Sequence, residues 1–500
     1  MDLAQLYLVL LAAAVTLLAS IIAVYSANRI GLPALLAFLA LGVTLGEDGL
    51  GIDFDDAQLA QDLGVIGLAL ILIDGGLTTR WSDIRSVVAP ATVLASVGVA
   101  ASALVTAVGA HLLLDFDWHS ALLLGAIISS TDAAAVFSVL RHLPLPRRVS
   151  GLLEAESGFN DAPTVIAVVM LSSSAHQVDS PARLMFDLIF ELAAGAAIGL
   201  AVGWLGRVAL RRIALPVSGL YPLATVGLGI VAFAAAGSLH ASGFLAAYLA
   251  SVVLGNTALP HRAATRSFAE GAAWLSQIGL FIMLGLLVDP SELPTALLSA
   301  ALMGVVMLFV ARPVSVAVSL TPFRVPWREQ ALLSWAGLRG AVPIVLATIP
   351  VVAGYPHSRI ILNIVFVLVV AFTLVQGPSL PLVASRLRLA RPGQARDVAI
   401  EAAPLDVLGA SLLTVTVPPR SRLAGLHVDE LRLPERSVIN SVVRDGDLFV
   451  PSGSDRLRVG DELMIVTMSG ARDATETRLR ALGRKGRLAR WLGEDGREET

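Results

Sequence analysis

The chain contains no cysteine. That excludes disulfides, thiolate metal sites and cysteine nucleophiles, and it leaves the compartment undetermined by redox chemistry. Charge is scarce as well: only 15% of the 500 residues are Asp, Glu, Lys or Arg, against about 25% in soluble domains. None of the eight histidines falls in the middle of an apolar run, so the imidazole and sulfur ligands that soft metals prefer are missing. The formal net charge of −3 offers no basic excess to a nucleic acid. What remains is apolar, with 56% hydrophobic residues and a mean hydropathy of +0.77. This composition belongs to an α-helical polytopic membrane protein.

A helix needs about 20 apolar residues to span a bilayer, with a range of 17 to 25 and fewer where helices are broken. About thirteen such runs can be placed, near 5–25, 32–46, 62–77, 86–113, 119–140, 150–173, 183–213, 217–237, 241–257, 270–289, 294–320, 328–350 and 359–385. The first has no basic segment before it and is too long for a signal-peptide core, so it reads as a span. Basic residues favour the cytoplasmic side. The loops after spans 1, 3, 5, 7, 9 and 11 hold Arg29, Arg80, Arg85, Arg141, Arg147, Arg148, Arg207, Arg211, Arg212, Arg262, Arg266, Arg324 and Arg328. The alternate loops hold only Arg183 and Arg359. This alternation puts the N-terminus outside and the C-terminus in the cytoplasm.

The chain also carries a faint internal symmetry. LPALLAFLALGVTLG (32–46) aligns with ASGFLAAYLASVVLG (241–255) at an offset of 209. Seven spans separate the two copies, an odd number, so they cross the membrane in opposite directions. Inverted repeats are a recurring plan of secondary transporters, which bind substrate near the midplane where discontinuous helices meet. The same offset pairs ISSTDAAAV in span 5 with GLRGAVP in span 12. Glycine and proline weaken the helical ladder around Arg339, and Ser129, Ser130 and Thr131 compete for backbone bonds around Asp132. Two crossing broken helices are expected there, with side-chain charges balancing the exposed helix ends.

ESGFNDAPTV (156–165) sets two carboxylates, an asparagine and a serine inside another apolar run. A lone charge at the bilayer centre costs about 2.5 to 3.5 kcal/mol on insertion scales, so these residues point to function. Ser157 and Asp161 are four apart and share one helix face; Glu156 and Asn160 share the next. Arg339 is the one basic residue in the middle of a span, because Arg312 is placed near a cytoplasmic end from which it can snorkel. Arg339 is therefore expected to neutralise one acid permanently, with Glu156 as its structural partner, and to leave Asp161 free to titrate. Asp132 either ligands an ion or caps a half-helix. Asp74, near the inner end of span 3, either gates a cytoplasmic funnel or reaches solvent.

STDAAAV, ESGFNDA and SWAGLRGAVP, in this order, resemble the signature segments of monovalent cation:proton antiporters of the Na+/H+ exchanger superfamily, NhaP type, over about residues 5–387. The resemblance implies that Asp161 carries the cation or the proton, with Asp132, Thr131, Ser157 and Asn160 around it. It also implies electroneutral exchange, since the Asn160–Asp161 pair is the form found in electroneutral members. Residues 389–408 read as a linker. Beyond it, about 409–470 resembles the TrkA-C or RCK-C fold, a small cytosolic α+β domain of a kind that dimerises and binds small, nucleotide-type regulators, and 471–500 reads as a basic tail. The appended module alone favours K+ over Na+. The reading is thus a homodimeric, inner-membrane antiporter without a cofactor, whose partners are lipid, alkali cations and protons. A ligand-gated potassium channel is the rival, but no TVGYG-like filter is present. An intramembrane enzyme would need a nucleophile and base pair that the spans lack.

Overall fold

The computed structural model describes residues 3–30, 33–47, 49–52, 54, 56–132, 145–172, 181–213, 215–257, 259–389, 399–405, 410–419, 421–468, 470–486 and 489. It divides into two compact units, Met1–Ala390 and Arg391–Thr500.

The first unit is helical. Its elements are α1 (Leu3–Ile30), α2 (Ala34–Leu45), α3 (Ala57–Thr78), α4 (Val88–Leu114), α5 (Trp118–Ser129), α6 (Arg147–Ser172), α7 (Pro181–Arg212), α8 (Leu220–Ser238), α9 (Gly243–Gly255), α10 (Arg262–Leu286), α11 (Leu293–Phe323), α12 (Trp327–Trp335), α13 (Ala341–Val352) and α14 (Ser358–Arg386). Eight described helices are long and apolar enough to cross a membrane, and α2, α5, α9 and α13 are shorter apolar helices. Polar residues at the ends make the boundaries: the Asp56 carboxylate accepts from Leu59 N at the start of α3, and Asp117 accepts from His119 N and Ser120 N at the start of α5.

The helices sort into two bundles. In one, α9 packs against α3, α7 and α8, and α10 packs against α2 and α3. In the other, α5 packs against α4 and α6, and α14 against α11 and α13. Small residues let the first bundle close tightly: a Cβ added at Gly195 or Gly199 of α7 would lie 2.6 Å from Ser242 O or 2.5 Å from Ala246 O of α9. The repeat offset of 209 residues is visible in the elements themselves, for α2 begins at Ala34 and α9 at Gly243, and α5 at Trp118 and α12 at Trp327. The symmetry extends to irregularities. α4 contains a π-helical turn at Leu94–Gly98 and α11 one at Met307–Ala311. These two turns face each other's helices, with Ser315 Oγ donating to Gly98 O at 2.7 Å.

The second unit holds a five-stranded antiparallel sheet of β1 (Ala399–Leu405), β2 (Ala410–Thr416), β3 (Ser437–Arg444), β4 (Asp447–Phe449) and β5 (Glu462–Met468), in the order β1-β2-β5-β3-β4. Asp445 (φ 53°) and Gly446 (φ 90°), an Asp-Gly pair suited to a tight hairpin, make the turn between β3 and β4. Leu413 and Val415 on β2 and Leu463 and Ile465 on β5 alternate inward and meet Leu479 and Leu482 from α15 (Arg472–Lys485).

Two expected boundaries shift. β1 lies inside the stretch that reads as a linker, because AIEAAPL lacks large alternating apolar residues and has Pro404, which an edge strand tolerates. α15 lies inside the expected basic tail, where its charges obscure the leucines it contributes to the core. AGLHVDELRL, whose composition suits a helix, forms only a short 3-10 turn at Val428–Leu431.

Candidate functional site

The end of α5 meets the break between α12 and α13 in the second bundle. α5 ends at Ser129, and residues 130–132 continue as extended chain; the second half of span 5, 133–140, lies outside the described residues. On the repeat-related side, α12 ends at Trp335, and extended chain through Gly340 leads into α13. The two breaks cap each other. Asp132 Oδ2 accepts from Ala341 N at 2.9 Å at the N-terminus of α13, and Asp132 N donates to Leu338 O at 3.0 Å. In return Arg339 Nη1 donates to Ser129 O at 3.0 Å and to Ser130 O, the free carbonyls at the C-terminus of α5. An acid thus sits on a positive helix end and a guanidinium on a negative one. Residues 132 and 341, and residues 130 and 339, are each 209 apart, so these bonds join equivalent positions of the two repeats.

The crossing leaves no room for side-chain substitution at one position. A Cβ on Gly340 would stand 1.8 Å from Asp132 Oδ2. Gly340→Ala must therefore push the carboxylate off the helix end or move the backbone. Exchange should fall by at least about tenfold, since a displacement near 1 Å at a functional site commonly costs on the order of a hundredfold. Initial rates in proteoliposomes would measure it, and an unchanged rate would show that this cap is dispensable.

α6 runs past the crossing and carries ESGFNDAPTV. It continues through Pro163, which cannot donate to the carbonyl one turn back; Thr164 Oγ1 bonds Asn160 O at 2.7 Å nearby. Asp161 is 4% exposed, and its Oδ1 accepts from Ser130 Oγ at 2.8 Å. Asn160 Nδ2 donates to Thr131 Oγ1, which lies 3.4 Å from Ser157 Oγ. Asn160 Oδ1 is buried with no hydrogen-bond partner among the described residues. The structure therefore gathers Asp161, Asn160, Ser157, Thr131 and Asp132 at one buried point, the grouping that the resemblance implies. Ser130, which sequence reasoning treats only as a helix breaker, joins them as the donor to Asp161. A carboxylate, an orphaned amide oxygen and hydroxyl oxygens form an all-oxygen set, the kind that suits a hard monovalent cation. Asp74 is half-buried on α3, in the other bundle.

The expected Glu156–Arg339 pair is not what the structure builds. Arg312 Nη1 donates to Glu156 Oε1 at 2.6 Å and Arg312 Nη2 to Leu333 O at 3.0 Å. Both residues are buried, Arg312 at 3% exposure and Glu156 at 1%. Arg312 does not snorkel because α11 is longer than a span and places it just after the π-helical turn, facing α6 and α12. Gly337 makes the space, for a Cβ there would lie 2.6 Å from Arg312 Nε. Arg339 remains within electrostatic reach of both groups but spends Nη1 on helix-end carbonyls. Among the described residues two guanidinium groups are buried, Arg312, which pairs with Glu156, and Arg339, which holds a helix end through Nη1.

Residues 14–386 match the transmembrane domain of the sodium/hydrogen exchangers. The chain belongs to the sodium/hydrogen exchanger family. Residues 412–480 match the TrkA-C domain. The chain is 38% identical over 449 residues to the K(+)/H(+) antiporter NhaP2 of Shewanella baltica, covering 88% of this chain and 77% of that one. It is 36% identical over 467 residues to the K(+)/H(+) antiporter NhaP of Alkalimonas amylolytica, covering 92% and 81%. The sodium proton antiporter MjNhaP1 from Methanocaldococcus jannaschii at pH 8 has a similar fold, with a TM-score of 0.64 at 21% identity, covering 77% of this chain and all of that one. As a family member the chain is a multi-pass membrane transporter and not an enzyme. The rival channel reading is set aside, because the family matched over residues 14–386 is one of exchangers and the relatives are antiporters.

Proposed function

We propose that this exchanger family member carries out electroneutral antiport of K+ for H+, with Na+ as the second cation, and that Asp161 is the group for which cation and proton compete. The observation that carries the reading is a buried carboxylate beside a neutral amide, with both buried guanidinium groups engaged elsewhere. In one half-cycle the ionised Asp161 holds the cation, assisted by Asn160 Oδ1 and the hydroxyls of Thr131 and Ser157. In the other, a proton on Asp161 replaces it. Asp132 and Arg339 hold the crossing by capping its helix ends, and the Glu156–Arg312 pair fixes α6 to α11. Alternate exposure follows if the α4–α6 and α11–α14 bundle moves against the other. The K+ preference is supported by the relatives at 36% and 38% identity, which are named K(+)/H(+) antiporters. Asp74, at the inner end of α3, is assigned to the cytoplasmic funnel.

With a single titrating charge cancelled by either ion, both half-cycles move the same net charge. A membrane potential, worth about 2.3 kcal/mol per elementary charge per 100 mV, then does no work on the cycle. Proteoliposomes with a trapped pH dye should respond to K+ and to Na+ equally with and without an imposed potential. Potential-driven cation accumulation would refute the stoichiometry, and no response to either cation would refute the exchange.

We place the protein in a bacterial inner membrane as a homodimer, N-terminus outside and C-terminus cytoplasmic, a reading supported by the alternation of arginines between successive loops. Light scattering on the purified protein reads the dimer, and a one-copy mass would count against it. The C-terminal domain is assigned to regulation by a small, nucleotide-type ligand, because every residue of the oxygen site lies in the first unit. A regulator acts through different affinity for two states, typically by about 1 to 3 kcal/mol. Truncation after Ala390 should leave exchange measurable with an altered pH response. Should the truncated protein insert and dimerise yet carry no cation at any pH, the domain belongs to the transport machinery.

A further inference from the structure

Glu154, Gly158 and Asp161 follow one another on α6 at i, i+4 and i+7, so they line one helix face about a turn apart. The ring of Tyr248, from α9 in the other bundle, lies over the middle one. A methyl group at position 158 would come within 2.8 Å of the Tyr248 ring carbon Cζ. The ring also meets Phe159 edge-on, with centroids 5.8 Å apart. Tyr248 is 2% exposed, and its hydroxyl lies 3.3 Å from Thr79 Oγ1. Thr79 is anchored in turn. Its hydroxyl donates to Gly75 O at 2.7 Å, and Asn256 at the end of α9 donates to Thr79 O at 2.9 Å while accepting from Trp81 N at 2.8 Å. Tyr248 is therefore tied to the α3 and α9 bundle, whereas the surface it covers belongs to the helix that carries Asp161.

The order along α6 gives this contact a direction. The helix starts at Arg147 and Arg148, its arginine-rich end, and runs toward Ser172. From that arginine-rich end come Glu154, which is partly exposed, then Gly158 under the ring, then buried Asp161. We propose that Tyr248 is the barrier on the cytoplasmic side of the Asp161 site, closing it when its ring seats on Gly158 and opening it when α6 moves away. Glycine is needed at 158 because any larger residue would hold the ring off. The Thr79 hydroxyl fixes the ring's tip, and Glu154 is a partly exposed carboxylate on the arginine-rich side of the ring. Tyr248 is a positioning residue: it controls access and does not ligand the cation. The inference rests on the assignment of Asp161 as the exchanging group.

The absence of cysteine makes the test clean. Ser157→Cys places a single thiol beside Asp161, and Ala264→Cys, at an exposed position near the start of α10, marks the arginine-rich face. With Tyr248→Ala, a membrane-impermeant maleimide applied to that face should label position 157 at least about tenfold faster, as expected when the contact favouring the closed state is lost, while labelling from the opposite face does not rise. Tyr248→Phe keeps the ring and should stay within about threefold of the parent. If Tyr248→Ala does not accumulate, Gly158→Ala serves, because its methyl group unseats the ring without removing it and should accelerate labelling in the same way. No acceleration in either variant overturns the proposal. Equal acceleration from both faces, the mark of a loosened fold, also overturns it, as does labelling of Ala264→Cys from the opposite face. Labelling needs no transport, so failure of the exchange assay and failure of the barrier remain separate results.

Discussion

Asp161→Asn should reduce cation-driven proton movement to the level of protein-free liposomes while leaving the amount and thermal stability of the protein close to wild type. The amide keeps the shape of the carboxyl group but cannot take up and release a proton at any working pH. Its oxygen can still accept from Ser130 Oγ, now 2.8 Å away, so the fold loses no hydrogen bond. Asp132→Asn is the informative contrast. Its oxygen can still accept from Ala341 N on the helix end, the bond now made at 2.9 Å by Oδ2, so appreciable exchange should survive. Dye response in proteoliposomes, with fluorescence size-exclusion to confirm folding, checks both. Wild-type exchange in Asp161→Asn would remove that residue from the mechanism, and a loss confined to Asp132→Asn would transfer the role to Asp132.

Much of this site is legible in the sequence because lipid tolerates so few polar residues. Asp161, Asn160, Ser157 and Thr131 stand out against apolar flanks, and the structure brings them within hydrogen-bonding range. The repeat offset is legible too, and it carries more than was asked of it, since the bonds at the crossing join positions 209 apart. Asp132 could be read either as ligand or as cap; only geometry puts its Oδ2 on Ala341 N. Ser130 is hidden because a serine that breaks a helix and a serine that donates to an acid look the same in one dimension. Pairing is the least legible property. Arg339 was the natural partner for Glu156 as the lone basic residue in mid-span, but a helix longer than the bilayer needs moved Arg312 inward, and Gly337 opened space for it. In the C-terminal domain, β1 and α15 escaped because an edge strand of small residues and a helix dense in charge do not look like core elements. The linker residues 390–398 and the end of the tail, 490–500, lie outside the described residues.

The partner of Glu156 can be identified by stability. Arg312→Ala leaves a carboxylate of 1% exposure without its 2.6 Å donor, and removing one member of a buried ion pair costs about 3 to 5 kcal/mol. Little folded protein should accumulate. Glu156→Gln also strands a buried charge, that of Arg312, although the amide oxygen can keep one hydrogen bond, so its cost should be smaller. The combined Glu156→Leu and Arg312→Met substitution removes both charges and fills similar volume; it should be distinctly more stable than Arg312→Ala, because buried pairs replaced together by apolar residues are often close to neutral. Arg339→Ala fails differently, by freeing the Ser129 and Ser130 carbonyls at the end of α5, and its effect should be closer to additive with that of Glu156→Gln. A double-mutant cycle on thermal unfolding measures the difference, since residues in direct contact couple by about 0.5 to 3 kcal/mol and residues without a shared bond by less. Stronger coupling of Glu156 to Arg339 than to Arg312 would restore the pairing expected from sequence. Strong coupling to Arg312 would make Glu156 a fixed strut between α6 and α11, which leaves Asp161 as the buried acid on that helix free to change its charge.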